Sequence, residues 1–230
     1  MRSRLGGFVN IEVLDDPGAV VADLLVDAAT AGGHLVITGG SSPRAAYERA
    51  AARGADWSGV TVWFSDERCV PPDHEWSNFG MADEALLSRL DRPPQVLRME
   101  GERGPEEGAA AYEAELRERD ARFDLVLLGL GPDAHTASLF PGKPEALAED
   151  RLVVGVPEAG MEPRVPRISL ALPALNSGRH VVVLVTGPDK APAVKRAFGN
   201  PPDETSPAAH VRPPHGQLTV LLDPAAAAEL

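Results

Sequence analysis

The chain has 230 residues, 43% of them hydrophobic, and a formal net charge of −12. This length and composition suit a globular protein of one large α/β domain or two small ones, and the acidic excess argues against a nucleic-acid partner, because phosphate backbones bind to basic patches. No apolar run approaches the roughly 20 residues that cross a bilayer, no signal peptide follows the basic start, and the one cysteine fits a reducing compartment, so we expect a cytoplasmic protein without membrane contact.

Predicted strands and helices alternate along the chain. Strands are expected at 8–14, 34–38, 60–64, 95–98, 123–128, 151–156, 166–172, 179–186 and 217–222. Helices are expected at 19–31, 44–53, 77–90, 105–119 and 191–198, with short ones at 136–139, 173–177 and 224–230. The alternation predicts an α/β fold with a doubly wound, mostly parallel sheet and helices on both faces. Since no linker of different composition interrupts it, residues 1–230 are expected to form a single domain.

The segment after the second predicted strand is suited to binding an anion. Gly39, Gly40, Ser41, Ser42 and Pro43 lead directly from the strand into a helix. Glycines let backbone N–H groups approach an oxyanion, serines add donors, and the helix start adds partial positive charge. An ordinary turn with a serine cap is the alternative.

Charged residues follow two further strands. Asp66, Glu67 and Arg68 come just after the third strand, and Lys190 follows the strand near the end of the chain. Open α/β sheets bind ligands at the carboxyl ends of their strands, so these residues are candidates for a site; a local Asp–Arg or Glu–Arg ion pair is the alternative. The acidic residues lack a recognised metal-ligand spacing, so no metal is expected. Cys69 is expected to be a buried, inert thiol.

The most apolar strand, at 123–128, ends abruptly at two glycines and a proline. Asp133 and His135 follow at once, at the same predicted edge of the sheet. An acid and an imidazole on a turn fixed by a central strand are typical of a general base and its orienting partner. A surface turn with a solvated aspartate and a hydrogen-bonded histidine is the alternative, and these residues alone leave both open.

Four stretches together resemble the 6-phosphogluconolactonases and occur in that family's order. They are LVITGGSSP (35–43), WFSDERCVPPDHEWSN (63–78), LLGLGPDAHTASLFPG (127–142), and PRISLALPAL with VLVTGPDK (166–175 and 183–190). The resemblance covers nearly the whole chain, and several long matches in order are far less expected by chance than one. It implies a doubly wound α/β fold shared with glucosamine-6-phosphate deaminase. It also implies hydrolysis of the δ-lactone of 6-phosphogluconate in the pentose phosphate pathway, without a metal or other cofactor.

The resemblance also implies how the substrate is bound. The segment 39–42 falls on the family's phosphate loop, and Arg68 and Lys190 fall on positions expected to hold the phosphate or the carboxyl end of the substrate. Arg167 matches the family's arginine before a hydroxyl-bearing strand, with a less defined role. Asp66 is counted with these residues as a contact to the substrate.

By the same resemblance, His135 falls on the general base, with Asp133 beside it. The family usually has glycine where this chain has Ala134. If that position needs a positive φ, alanine costs on the order of 1 kcal/mol and tilts His135. If the backbone there is right-handed, the change is neutral.

Two alternatives stand beside the lactonase. The first is a deaminase and isomerase acting on glucosamine 6-phosphate, in which Asp66 would carry a proton at C2. The second is a non-catalytic module that binds sugar phosphates. The D-E-R-x-V-P and T-A-S-L-F-P runs favour the lactonase. The expected partner is a phosphorylated sugar lactone, and the expected state is a monomer or a small homo-oligomer.

Overall fold

Residues 9–230, the part of the chain that the computed structural model describes, contain ten strands and six α-helices. The strands are β1 Val9–Val13, β2 Gly33–Ile37, β3 Val60–Phe64, β4 Asp66–Arg68, β5 Gln95–Val96, β6 Leu125–Leu128, β7 Val153–Val156, β8 Arg167–Leu170, β9 His180–Val185 and β10 Gln217–Leu222. The helices are α1 Pro17–Ala31, α2 Ser41–Ala51, α3 Asn78–Ala85, α4 Pro105–Glu118, α5 Leu172–Leu175 and α6 Ala191–Phe198. The first predicted strand began at Phe8, which lies outside the described residues.

Seven parallel strands form the central sheet, in the order β1-β10-β9-β6-β2-β3-β5. All four residues of β6 are buried, as are five of the six in β9, which suits strands covered on both faces. From β2 the chain moves outward through β3 and β5, then returns to β6 and moves outward the other way. The reversal lies between β2 and β6, the place where open α/β sheets form a crevice for a ligand.

Helices pack on both faces of this sheet, which confirms the predicted fold class. The helix α1 begins where expected, because Pro17 fits the first turn and the Asp16 carboxylate accepts a hydrogen bond from the Ala19 N–H (3.2 Å). Similarly, the Ser77 hydroxyl accepts a hydrogen bond from the Gly80 N–H (3.0 Å) and starts α3. Within residues 9–230, no helix has both the length and the apolar character needed to cross a membrane.

A second, three-stranded antiparallel sheet, β4-β8-β7, adds to the predicted fold. The sequence predicted β7 and β8 as strands but not β4. Strand β4 follows β3 after one residue, and Arg68 pairs with Arg167 of β8 across the ladder. Helix α4 packs against β7 and β8. The small sheet therefore lies at the carboxyl end of the large one.

Two predicted short helices are absent from the described residues. At 136–139 the chain forms a tight turn instead, in which the Leu139 N–H donates to the Thr136 carbonyl (3.0 Å). The Thr136 hydroxyl donates to the Gly129 carbonyl (3.0 Å), and Ala137 has a φ of 48°, so a right-handed helix cannot form. At 224–230 the structure has consecutive turns. Both segments are too short for a helix to stabilise itself.

Candidate functional site

The loops after β2, β6 and β9 meet β4 and β8 around one cavity of ≈ 240 Å³. Nine of the ten site residues predicted from the sequence line it: Gly39, Gly40, Ser41, Ser42, Asp66, Arg68, His135, Arg167 and Lys190. The tenth, Asp133, lies behind His135 and contacts it directly. The structure thus brings together residues that are far apart in the sequence, while their individual roles stay predictions.

His135 is held from one side by Asp133. The Asp133 Oδ1 accepts hydrogen bonds from the His135 Nδ1 (2.5 Å) and backbone N–H (3.1 Å). A carboxylate accepts only, so this contact places the ring proton of neutral His135 on Nδ1. The other ring nitrogen, Nε2, is left as the basic atom. The His135 side chain is only 15% exposed, and the ring of Phe140 packs against it with 4.7 Å between centroids.

Two opposing effects set the pKa of Asp133. Burial raises the pKa of its carboxyl, but the hydrogen bonds and charge of His135 outweigh burial and hold that pKa below its usual value. The carboxylate is therefore the form that faces the imidazole. An ionised Asp133 stabilises a protonated His135, which is what a general base becomes during its reaction.

The turn between these two residues is left-handed. Ala134 has a φ of 65°, so this position does need a positive φ. An alanine in this conformation costs on the order of 1 kcal/mol. Only glycine fits at position 131 as well, because a Cβ on Gly131 would overlap the His135 ring. The Gly131 N–H donates to the His135 carbonyl (2.9 Å) and so closes the turn. That N–H is consequently not available to a ligand.

The segment 39–42 starts α2 at the mouth of the cavity. Gly40 has a φ of 111°, and no side chain caps the helix. A Cβ on Gly39 would overlap the amide of Asn78, so only glycine fits there. The hydroxyls of Ser42 and Thr186 lie 2.5 Å apart, joining the loop after β2 to the end of β9. The first N–H groups of α2 are thus left to solvent or to a ligand.

Arg68 and Arg167 face each other across the β4–β8 ladder. Arg68 donates from Nη1 to the Trp76 carbonyl (2.5 Å), while Arg167 donates from Nε to the Val165 carbonyl (3.2 Å) and from Nη2 to the Pro163 carbonyl (2.8 Å). Carbonyls fix these groups without neutralising them, and within residues 9–230 neither arginine has a carboxylate oxygen within 4.0 Å.

Burial lowers the pKa of Arg167, the nearby Asp66 opposes that change, and the charge of Arg68 adds to it. Like charges placed opposite one another destabilise a sheet. Such a pair of guanidinium groups is well placed to bind an anion.

The two acids of β4, Asp66 and Glu67, accept hydrogen bonds from different partners. Asp66 lines the cavity, and its carboxylate accepts hydrogen bonds from the hydroxyls of Ser65 (2.9 Å) and Ser138 (2.7 Å). Glu67 points away from the cavity and is 3% exposed. Its carboxylate accepts hydrogen bonds from the neighbouring Arg68 N–H (2.6 Å) and, at the start of α3, from the N–H groups of Asn78 (2.7 Å) and Phe79 (2.8 Å) and the Ser77 hydroxyl (2.9 Å).

The expected alternative for this region, an Asp–Arg or Glu–Arg ion pair, is therefore wrong. Glu67 lies on the opposite face of β4 from Arg68, and the Asp66 carboxylate accepts hydrogen bonds from Ser65 and Ser138 instead. In the described part of the chain, no three His, Cys, Asp or Glu side chains gather as metal ligands.

Comparison with known proteins identifies the family. The sequence pattern of the family described as Glucosamine-6-phosphate isomerases/6-phosphogluconolactonase matches residues 15–220. The chain belongs to this family. A 6-phosphogluconolactonase of Nostoc sp. is 36% identical, over 96% of this chain and 98% of the relative. The human 6-phosphogluconolactonase is 38% identical, over 85% of this chain and 77% of the relative. The solved structure of 6-phosphogluconolactonase from Trypanosoma brucei has a TM-score of 0.85 and 27% identity, over 98% of this chain and all (100%) of that one.

These findings confirm the resemblance read from the sequence. The cavity lies at the reversal between β2 and β6, where open α/β sheets bind their ligands.

Several residues that line the cavity were not predicted, among them Thr38, Asn78, Met161, Glu162 and Thr186. Thr38 and Thr186 each follow the last residue of a parallel strand, so the argument that selected Lys190 could have found them. Asn78 could not be found in this way, because it is the first residue of α3 and does not follow a strand of the parallel sheet. Met161 and Glu162 come from the loop between β7 and β8, which no sequence signal connects to the site.

Proposed function

We propose that this protein hydrolyses 6-phospho-D-glucono-1,5-lactone to 6-phosphogluconate, a step of the oxidative pentose phosphate pathway. The observation that carries the proposal is His135, held by Asp133, on the wall of a cavity that also contains two arginines with no carboxylate oxygen within 4.0 Å among residues 9–230. A base and an anion site within one small cavity are what hydrolysis of a phosphorylated lactone needs.

The phosphate is the part of the substrate that is recognised by charge. The uncapped start of α2 at 39–42 supplies N–H donors, and Arg68, Arg167 and Lys190 supply positive charge. Lys190 has its nearest carboxylate, that of Asp189, only at 3.9 Å, so its charge is largely available. These groups orient a small sugar in the cavity against the unfavourable net charge of the whole protein.

His135 then acts as a general base. Its Nε2 takes a proton from a water molecule, whose oxygen attacks the lactone carbonyl carbon. Negative charge grows on the carbonyl oxygen, where a cationic side chain of the cavity stabilises it. The ring C–O bond then breaks, and the protonated His135 returns its proton to the ring oxygen as the ester opens. Asp133 keeps the imidazole in the correct tautomer and stabilises its charged form.

Deamination of glucosamine 6-phosphate, the alternative, is less well supported. Asp66, which would have to carry a proton at C2, already accepts hydrogen bonds from Ser65 and Ser138. The relatives named above are lactonases. The test is to mix the protein with freshly made lactone and follow acid release, and separately with glucosamine 6-phosphate and follow ammonia. Acid release above the spontaneous rate is expected; ammonia without acid release would overturn the proposal.

The remaining expectations belong to the same proposal. We infer that residues 1–230 act as a single domain, without a cofactor or metal, in the cytoplasm. The acidic excess supports the absence of a nucleic-acid partner. A monomer or a small homo-oligomer is expected, which light scattering on the purified protein measures directly.

A further inference from the structure

The turn that carries His135 is held by hydrogen bonds from α6 and from the segment that follows it. Arg196 donates from Nη1 to the Asp133 carbonyl (3.1 Å). The Ala134 carbonyl accepts from the Ser206 hydroxyl (3.1 Å) and from the Ala208 N–H (3.3 Å). Two successive carbonyls of the turn are thus held by a part of the chain that does not line the cavity.

The side chain of Arg196 is also held by contacts outside the turn. Its Nε donates to the Asp203 Oδ2 (3.1 Å), and the Asp203 N–H donates back to the Arg196 carbonyl (2.7 Å). The Asp203 Oδ1 accepts from the N–H (2.9 Å) and the hydroxyl (2.7 Å) of Thr205. The guanidinium is therefore a donor of fixed position, since its orientation is set independently of the turn.

The turn needs such support because its middle residue is an alanine with a φ of 65°. A left-handed conformation is unfavourable for any residue with a Cβ. Relaxation of Ala134 toward a right-handed conformation would rotate the peptide groups on both sides of it, and with them the bond between Asp133 and His135. The hydrogen bonds to the two carbonyls oppose that relaxation.

We propose that Arg196 and Ser206 are positioning residues that keep the left-handed turn in place and so aim the His135 Nε2 at the substrate. This inference rests on the proposed lactonase activity. It predicts that the support matters for turnover more than for binding, because phosphate recognition uses other elements. It also predicts that the support matters less when residue 134 adopts a positive φ without strain.

The experiment is a cycle of Arg196→Met, Ala134→Gly and the double variant, assayed with the phosphorylated lactone. Arg196→Met should lower kcat by about tenfold with little change in KM, as expected for a misplaced catalytic group. Ala134→Gly should restore most of the lost kcat in the double variant, because glycine adopts the turn unaided. Arg212→Met is the matched control: Arg212 is likewise a partly buried arginine that donates to backbone carbonyls, those of Val211 (2.7 Å) and Ala197 (3.3 Å), but it makes no hydrogen bond to the turn. It should keep its kcat.

Several outcomes would overturn the inference. One is a folded Arg196→Met with wild-type kcat; another is a loss of kcat that Ala134→Gly leaves unchanged. If Arg196→Met does not fold, Arg196→Lys and Ser206→Ala replace it in the same cycle, and full kcat in both also overturns the inference. A wild-type protein without any lactonase activity would instead overturn the proposed function, so the two failures are distinguishable.

Discussion

The two sheets contribute to the cavity in different ways. The central strand β6 of the large parallel sheet is apolar throughout, and this sheet contributes the loops that follow β2, β6 and β9, among them the turn that carries His135. The small antiparallel sheet contributes side chains from within its strands, including Asp66 and Arg167, both buried. One sheet thus positions backbone turns, while the other holds charges in a fixed register.

This difference suggests a division of labour. A general base must sit at the correct distance from a water molecule, which a turn anchored to rigid strands provides. Two like charges must be held together against their repulsion, which a hydrogen-bonded ladder provides. Substitutions at the turn after β6 should therefore change kcat, and substitutions of the arginines in the small sheet should change KM.

The largest effect is expected at His135. Replacing it with alanine or glutamine should lower kcat about 10²–10⁴-fold with a modest change in KM, the usual cost of removing a general base. The wild-type rate should also fall on acidification, because a protonated imidazole cannot accept a proton from water. Melting temperature and kcat are measured on the same preparation, and a folded His135→Ala with wild-type kcat would remove His135 from the mechanism.

The next largest effect is expected at the arginine pair of the small sheet. Arg68→Met or Arg167→Met should raise KM for the phosphorylated lactone about 10–100-fold, since each removes a charged hydrogen-bond donor. Loss of one guanidinium also relieves repulsion, so stability should not fall in parallel. Arg103→Met, which removes a surface arginine paired with Glu107 (2.7 Å), is the control. An equal loss on unphosphorylated gluconolactone would move the arginine from phosphate binding to catalysis.

Asp133→Asn should lower kcat, but by less than His135→Ala, because the base remains while its orientation and charge compensation are lost. It also has a pH signature. The pKa of Asp133 is lower in the folded protein than its usual value, so its ionised form stabilises the fold above the ordinary carboxyl range. That contribution is lost as the pH falls through the lowered pKa. In urea unfolding at neutral pH, the wild type should have a higher free energy of unfolding than Asp133→Asn, and this difference should shrink on acidification. A difference that grows on acidification contradicts the prediction.

The smallest effect is expected at Cys69, in the loop after β4. Cys69 is half-buried and not buried as expected. This partial burial, together with the negative charge of Glu67, raises the pKa of its thiol to about 11. At pH 8 only roughly one thiol in a thousand is then ionised, so iodoacetamide should modify the folded protein slowly and the unfolded protein quickly. Cys69→Ser should keep near-normal kcat, and a loss of several orders of magnitude in a folded variant would argue against attack by water.

Sequence patterns predicted the large sheet well because its signal is local. Runs such as Leu125–Leu128 are apolar throughout and end at glycines, and their carboxyl ends identified most of the cavity lining. Strand β4 escaped prediction because Asp66–Arg68 has neither an apolar run nor an alternation; it becomes a strand by pairing with β8, far away in the sequence. In the same strand, the Glu67 carboxylate accepts hydrogen bonds at the start of α3, a contact that no local pattern indicates.

We expect the uncapped start of α2, where the phosphate is proposed to bind, to link the lifetime of the protein to its supply of substrate. Asp16 and Ser77 cap α1 and α3 internally, but α2 begins at Gly40 without a side-chain acceptor. A bound phosphate would complete this helix, and a ligand that binds only the folded state adds to its free energy of unfolding. Cleavage by proteases follows the population of opened molecules. When sugar phosphate is scarce, the enzyme should therefore be degraded sooner, so that its abundance follows the flux it serves.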